Sequence, residues 1–272
     1  MAEAEPIIRL RGITKSFDGL RVLDGLDLDV QPSATTVVIG PSGCGKSVLL
    51  KHMIGLLKPD RGRVYFKDAE VSAMSERQLV AVRRHMGFLF QGSALFDSMT
   101  VEDNVRFPLR EHGAGTEDEQ RARCREVLRL VGLDGIQSKF PEELSGGQKK
   151  RVALARAIAL GPDVIFYDEP TTGLDPIRAD LINELILRLQ AALGTTAVVV
   201  THDMRSARKI GDRIIMLYET RFVWDGPPDA LTNVDNEVVD RFVEGRASRE
   251  ELAEIETGEL FTGAAGKDDT RE

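Results

Sequence analysis

The feature that most constrains the fold of this chain is a complete phosphate-binding loop near its amino terminus. Residues 40–47 read Gly40-Pro41-Ser42-Gly43-Cys44-Gly45-Lys46-Ser47 and fit the pattern G-x-x-x-x-G-K-[ST] at every position. A β-branched run, residues 35–39, ends directly in the loop, and residues 47–57 place apolar side chains on one helical face. Strand, glycine loop and helix follow in the order that the pattern requires, which predicts an α/β fold.

Each part of this phosphate loop has a chemical role in binding phosphate. Its glycines let backbone N–H groups approach phosphate oxygens, and the helix that follows directs its N-terminus at the same place. Lys46 is expected to neutralise the outer phosphates, and the Ser47 hydroxyl to complete a Mg²⁺ shell, with Val48 lining the same site. The alternative is an ordinary glycine turn before a helix.

A second glycine-rich segment, residues 144–148, lies about a hundred residues downstream and reads Leu144-Ser145-Gly146-Gly147-Gln148. A chain with one ordinary phosphate loop needs no second glycine-rich phosphate contact. We therefore predict a nucleotide held between two copies of the chain, each lending residues 144–148 to the phosphates bound by the other. We call residues 144–148 the signature segment.

Two adjacent carboxylates follow an apolar run, residues 164–167, at the end of a predicted strand. In open α/β sheets, ligands bind at the carboxyl ends of the strands. Adjacent residues of an extended chain point in different directions, so the two acids can have separate tasks. Asp168 is the candidate for a water-mediated Mg²⁺ contact, and Glu169 is the candidate base that polarises an attacking water. The alternative is a pair of charges in a solvated turn.

Three further residues are candidates because of their position. His202 follows another apolar run, residues 197–201, and a neutral imidazole there could hold the water and Glu169 in line, although a lone histidine after a strand is more often structural. Gln91 follows residues 86–90 and could contact Mg²⁺ or water through its amide. Phe17 could stack on adenine, and as a core residue it would look the same.

Composition excludes several classes of protein. The chain has 272 residues, 42% apolar content, a net charge of −8 and a pI near 5.2, which argues against a general nucleic-acid binder. Its two cysteines lack metal-ligand spacing and suit a reducing compartment. Neither a membrane-spanning run of roughly 18 apolar residues nor a signal peptide is recognisable. We therefore expect a cytosolic chain whose membrane role comes through a partner.

The pattern along the chain predicts a single large domain with an insertion. Strand-like and helix-like segments alternate, which implies a parallel sheet covered on both faces, and a helical block at about residues 92–160 interrupts them. We place the domain at residues 6–240. Residues 241–272 are an acidic tail that we expect to be partly disordered, or to pack on the partner protomer through its spaced apolar residues.

The full set of motifs, in this order and spacing, resembles the ATP-binding subunit of an ABC transporter over about residues 6–230. The resemblance implies an α/β P-loop NTPase core with a mixed sheet, a small antiparallel β subdomain and an inserted helical subdomain. It also implies ATP hydrolysis with Mg²⁺ in a head-to-tail homodimer that drives membrane subunits. By the resemblance, Phe17 stacks on adenine, Gln91 is the hinge glutamine, residues 144–148 are the family signature, Asp175 is the inter-protomer acid and His202 the switch histidine.

Within that family the helical block is similar to the ATPases of the Mla and Mce lipid transporters. The similarity lies in residues 90–99, 103–105 and 107–112, and again in residues 238–245. It implies a chain at the cytoplasmic face of the inner membrane that moves phospholipids or related lipids with a permease and Mce-domain proteins. Two alternatives stay open: an importer ATPase for a small polar solute such as an amino acid, and a non-transport relative acting on ribosomes or DNA.

Overall fold

The computed structural model describes residues 5–232 and 234–247. The chain divides into two compact units, Met1–Asp229 and Ala230–Glu272. The first unit contains ten strands in its described part: β1 Ile8–Phe17, β2 Leu20–Val30, β3 Thr35–Ile39, β4 Arg61–Phe66, β5 Ala69–Glu70, β6 Met86–Leu89, β7 Val164–Asp168, β8 Thr196–Thr201, β9 Arg213–Tyr218 and β10 Arg221–Gly226.

The helices of the first unit, again among its described residues, are α1 Lys46–Met53, α2 Glu76–Arg83, α3 Val101–Glu111, α4 Glu117–Leu130, α5 Gly146–Ile158, α6 Pro176–Leu193 and α7 Met204–Ile210. Helix α1 ends four residues before its predicted end. Gly55 adopts a left-handed φ of 70° directly behind it, and the backbone of Gly55 donates to the carbonyl of His52. A left-handed glycine ends a helix, although the apolar pattern continues to residue 57.

A six-stranded sheet forms the centre of the first unit, in the order β10-β9-β3-β8-β7-β6. Strands β9, β3, β8, β7 and β6 run parallel, and β10 pairs antiparallel with β9 at one edge. Every residue of β3, β7 and β8 is buried, as expected for parallel strands covered on both faces. The carboxyl ends of β3, β6, β7 and β8 therefore lie at one edge of the sheet.

A separate antiparallel sheet has the order β2-β1-β4-β5. Its first hairpin turns at Asp18 and Gly19, whose φ angles of 49° and 84° match the tight turns that suit hairpin twist. This turn pairs Phe17 with Leu20, so β2 begins directly after the turn. The mixed central sheet, the antiparallel sheet and the α/β core confirm the predicted fold class.

Between β6 and β7 the chain forms helices α3, α4 and α5, which contact one another, and α5 also contacts β6. Thr100 and Thr116 cap the N-termini of α3 and α4 through their hydroxyls. The predicted helical block is therefore present, and α5 joins it to the central sheet. None of the helices in the described ranges is both long and apolar enough to span a membrane.

In the second unit the described residues form helix α8, Glu237–Glu244, capped by Asn236 and ended by the left-handed Gly245. The acidic tail predicted for residues 241–272 falls mostly beyond residue 247, outside the described residues. The predicted domain boundary near residue 240 stays a prediction.

Candidate functional site

The phosphate loop connects β3 to α1 at the carboxyl edge of the central sheet. Two of its glycines are required by the fold itself. A Cβ on Gly40 would lie 2.2 Å from the backbone oxygen of Leu217, and a Cβ on Gly45 would lie 2.8 Å from Val22 Cγ1. Gly45 also has a φ of 106°, which side chains rarely adopt. The loop thus presents its backbone N–H groups and the start of α1 to one small groove.

Lys46 is buried inside this loop, with 5% of its surface exposed. Its Nζ donates to the carbonyl oxygens of Gly40 and Pro41, each at 2.8 Å, and lies 3.7 Å from Glu169 Oε1. A buried ammonium that is held by two carbonyls and one carboxylate can exchange these neutral partners for phosphate oxygens, which bear more charge.

Ser47 lines the groove, and Asp168 lies in contact with Ser47 without lining the groove itself. Ser47 Oγ donates to Asp168 Oδ1 at 2.7 Å. Burial raises the pKa of the Asp168 carboxyl, while the hydrogen bond from Ser47 opposes that rise. A desolvated carboxylate beside a hydroxyl fits a Mg²⁺ ion that also takes phosphate and water ligands. The described residues contain no group of three or more His, Cys, Asp or Glu side chains that could hold a metal alone.

Glu169 is the second carboxylate of the site and lies close to the Lys46 ammonium. Strand β7 ends at Asp168, and Glu169 adopts a left-handed φ of 50°, so the two carboxylates diverge because of a turn and not because of strand alternation. The carboxylate of Glu169 is buried. Its Oε2 lies 2.9 Å from His202 Nδ1 and accepts a hydrogen bond of 3.1 Å from Thr172 Oγ1.

Candidate residues from five places in the sequence therefore line one groove with a volume of about 340 Å³. Phe17 stands at one side of it, 40% exposed, with Lys15 Nζ 5.4 Å from its ring centroid. The exposed His202 and Gln91 lie at the carboxyl ends of β8 and β6. The members of the groove predicted from sequence are Phe17, Ser42, Gly43, Gly45, Lys46, Ser47, Val48, Gln91, Glu169 and His202.

The signature segment and Asp175 do not line this groove in the same protomer. Ser145 caps α5, where it and Gln148 exchange backbone and side-chain hydrogen bonds in a capping box. Asp175 caps α6 with its side chain alone, accepting hydrogen bonds from the backbone N–H groups of Ile177 and Arg178. A larger hollow of about 610 Å³ lies beside Ser145, Gly147 and Gln148.

Gly146 and Gly147 differ from the glycines of the phosphate loop. A Cβ on Gly146 would find its nearest neighbour, Leu174 Cδ2, at 4.0 Å, and a Cβ on Gly147 would find Arg178 Cδ at 3.9 Å. Both residues are helical and neither has a left-handed φ. The fold of one protomer therefore has room for side chains at both positions.

Sequence reasoning missed two residues that contact the site. Thr172 donates to Glu169, and Lys150 of α5 donates to the backbone carbonyls of Gln91 and Glu169. A pattern that could have revealed Lys150 is its spacing of four and eight residues from Leu154 and Ile158, which puts a charge on the apolar face of α5.

The comparisons with known proteins agree on one class, the ATP-binding proteins of transporters. The family model described as ABC transporter matches residues 23–172. A probable ribonucleotide transport ATP-binding protein, Mkl, from Mycobacterium leprae is 43% identical over 239 residues, 88% of this chain and 69% of that protein. The intermembrane phospholipid transport system ATP-binding protein MlaF from Haemophilus influenzae is 39% identical over 241 residues, 89% of this chain and 91% of that protein.

A solved structure gives the same result for the fold. The dimeric, post-hydrolysis ATP-binding cassette MJ0796 bound to ADP and Pi is similar with a TM-score of 0.75 and 34% identity. The match covers 81% of this chain and 98% of that one.

Proposed function

The chain belongs to the ATP-binding subunits of ABC transporters and hydrolyses ATP to power transport, and on that premise we propose that two copies enclose two ATP molecules and drive lipid movement through membrane partners. The free space beside Gly146 and Gly147 is the observation that supports a shared site most strongly. Glycine in a helix is less stable than alanine by up to about 1 kcal/mol, and nothing in the protomer requires it there. A close approach of the partner's phosphates would require it.

Within each groove the residues have separate tasks. Lys46 binds the outer phosphates of ATP, and the N-terminus of α1 with the loop N–H groups holds the rest. Ser47 and the amide of Gln91 would hold Mg²⁺, with Asp168 contacting it through water, and the bound ion would neutralise charge on the phosphates. Phe17 stacks its exposed ring face on adenine. The placement of Lys46, Ser47, Gln91 and Phe17 around one groove supports these assignments.

Glu169 is the proposed general base. Its carboxylate can accept a proton from water as that water attacks the γ-phosphate, and His202 and Thr172 orient the carboxylate from two directions. Ser145 through Gln148 and Asp175 act on the ATP of the other copy. We expect Glu169→Gln to bind ATP and to lose roughly 10²–10⁴ in turnover. Turnover within about threefold of the native rate would remove Glu169 from this role.

The proposed cargo is a phospholipid or related lipid. Support comes from the similarity to proteins named for phospholipid transport and from the match over most of their length. The relatives named for ribonucleotide transport support a second candidate, a small polar solute. Purification of the chain with its membrane partners, followed by mass spectrometry of bound small molecules, distinguishes the two. A co-purifying lipid and Mce-domain proteins support the first, and a nucleotide-binding partner outside the membrane supports the second.

The loop before α3 is the proposed contact for the permease, which would hold the chain at the cytoplasmic face of the membrane. Phe96 is 40% exposed there, 4.7 Å from the Phe107 ring between centroids. Arg156 fixes this loop by donating to the carbonyls of Ala94 and Ser93 at 2.7 and 2.9 Å. Phe96→Ser should release the permease and leave the ATPase activity of the isolated chain unchanged. Phe140→Ser, at an equally exposed ring in the same block, is the control and should keep the permease.

A further inference from the structure

Lys150 is a buried cation that the proposed mechanism has not used. It lies in α5, two residues after the signature segment, and 5% of its surface is exposed. No salt bridge within residues 5–232 and 234–247 includes its ammonium group. Burial lowers its pKa, and the negative charge of Glu169 opposes that change. A buried charge with so little compensation is unfavourable for stability, so a role in activity is worth seeking.

The two partners of Lys150 are both backbone carbonyls of candidate site residues. Its Nζ donates to Gln91 O and to Glu169 O, each at 3.3 Å. Gln91 follows β6 and Glu169 follows β7, which are neighbouring parallel strands. One side chain from α5 therefore joins the ends of both strands where they enter the groove.

Glu169 depends on this support more than an ordinary residue would. Its φ of 50° is sterically unfavourable for any residue with a Cβ and persists only when the surroundings impose it. Its backbone N–H donates to Val200 O at 3.0 Å, and its carbonyl accepts from Lys150 and from the N–H of Thr172. The direction of the carboxylate follows from this backbone geometry, because the side chain begins at the strained Cα.

We propose that Lys150 is a positioning residue that makes the alignment of Glu169 depend on helix α5. The helix begins with the signature segment, so a shift of α5 as it meets the partner's ATP moves the Lys150 ammonium, and with it the backbones of Glu169 and Gln91. Water activation then depends on engagement of the second protomer. The inference rests on the proposed role of Glu169 as the base.

Lys150→Met distinguishes a positioning role for Lys150 from a purely structural one. Lys150→Met keeps an unbranched apolar side chain that is one atom shorter, and it removes the charge. Glu169 O keeps the hydrogen bond from the backbone N–H of Thr172. Because a methionine also avoids burying a charge, this variant should fold as stably as the native chain.

The experiment measures turnover and ATP affinity for Lys150→Met, Lys150→Gln and the control Lys149→Met, which changes the partly exposed neighbour in the same helix. We expect Lys150→Met to lower kcat by about 10- to 100-fold, with KM changed by less than about threefold, because a misplaced base slows chemistry and not binding. Lys150→Gln retains an N–H donor and should recover part of the loss. Lys149→Met should match the native chain.

A double-mutant cycle with Glu169→Gln, read by single-turnover hydrolysis, completes the test. Because Lys150 acts through Glu169, the double variant should be no slower than Glu169→Gln alone. Rate losses that multiply would overturn the inference, as would native kcat in Lys150→Met. If Glu169→Gln itself keeps native turnover, the base assignment of the proposed function fails instead. A large loss of thermal stability in Lys150→Met, without recovery by Lys150→Gln, would show a structural role only.

Discussion

Replacing Gly147 by alanine should separate the stability of one protomer from the activity of the dimer. The added Cβ would meet Arg178 Cδ at 3.9 Å, an ordinary van der Waals distance, and the helical backbone at Gly147 accepts any residue. Alanine is the better helix former, so the isolated protomer should become more stable. The same methyl group would occupy the space that the partner's phosphate needs.

The two effects have opposite signs and can be estimated. Glycine to alanine within a helix contributes up to about 1 kcal/mol, and less in the first turn, which corresponds to a rise in Tm of roughly 1–4 °C for a domain of this size. In the closed dimer, a methyl group forced into a packed contact costs about 1–3 kcal/mol, or about five- to 150-fold in ATP-dependent association.

Thermal unfolding without nucleotide measures the first effect, and sedimentation with a non-hydrolysable ATP analogue measures the second. Gly45→Ala is the control, because its Cβ would lie 2.8 Å from Val22 Cγ1 at a φ of 106°, so it should lower Tm. A Gly147→Ala chain that loses stability would show that the glycine serves the protomer's own fold. Native dimerisation in that variant would show that the position does not meet the partner's nucleotide.

Two further predictions concern the groove. Burial raises the folded-state pKa of Asp168 above its usual 3.8, so its stability contribution is present below the unfolded pKa and lost as pH rises through the folded pKa. Asp168→Asn should therefore unfold at a higher temperature than the native chain at pH 7, with the difference shrinking toward pH 4, while Mg²⁺-dependent turnover falls at least about 100-fold. Equal Tm values at pH 7 would contradict the desolvation argument. Phe17→Ala should raise KM for ATP about fivefold or more and reduce discrimination between ATP and GTP, because the loss of one stacking ring removes about 1 kcal/mol or more of adenine-selective binding. An unchanged ratio of the kcat/KM values for ATP and GTP would show that Phe17 does not bind adenine.

Much of the site was predictable because its residues follow strands of a parallel sheet. Lys46, Glu169 and His202 come directly or closely after apolar runs, and the carboxyl ends of parallel strands meet at one edge. The sequence pattern therefore indicates that such residues come together. The sequence pattern does not predict the left-handed turn at Glu169, because the φ angle there depends on contacts with Val200, Thr172 and Lys150.

Most of the other differences arise from local turn geometry and from the shortness of the elements. Helix α1 ends at Met53 because Gly55, two residues later, adopts a left-handed φ, and β2 begins at Leu20 because the hairpin turn pairs that residue with Phe17. The antiparallel sheet followed from the family resemblance and not from the periodicity of its strands, because short alternating segments do not reveal their partners. Helix α7, Met204–Ile210, was not predicted, since seven residues are too few for a clear helical period.

The most direct test of a shared ATP site mixes two inactive variants. Lys46→Ala removes the phosphate loop's cation and keeps the signature segment, whereas Ser145→Arg keeps the loop and blocks the signature. A mixed pair has one composite site with neither defect, so a non-hydrolysable ATP analogue should produce dimers in the mixture and in neither variant alone, as measured by sedimentation. If the mixture stays monomeric, or each variant alone dimerises as well as the mixture, the ATP site is not shared.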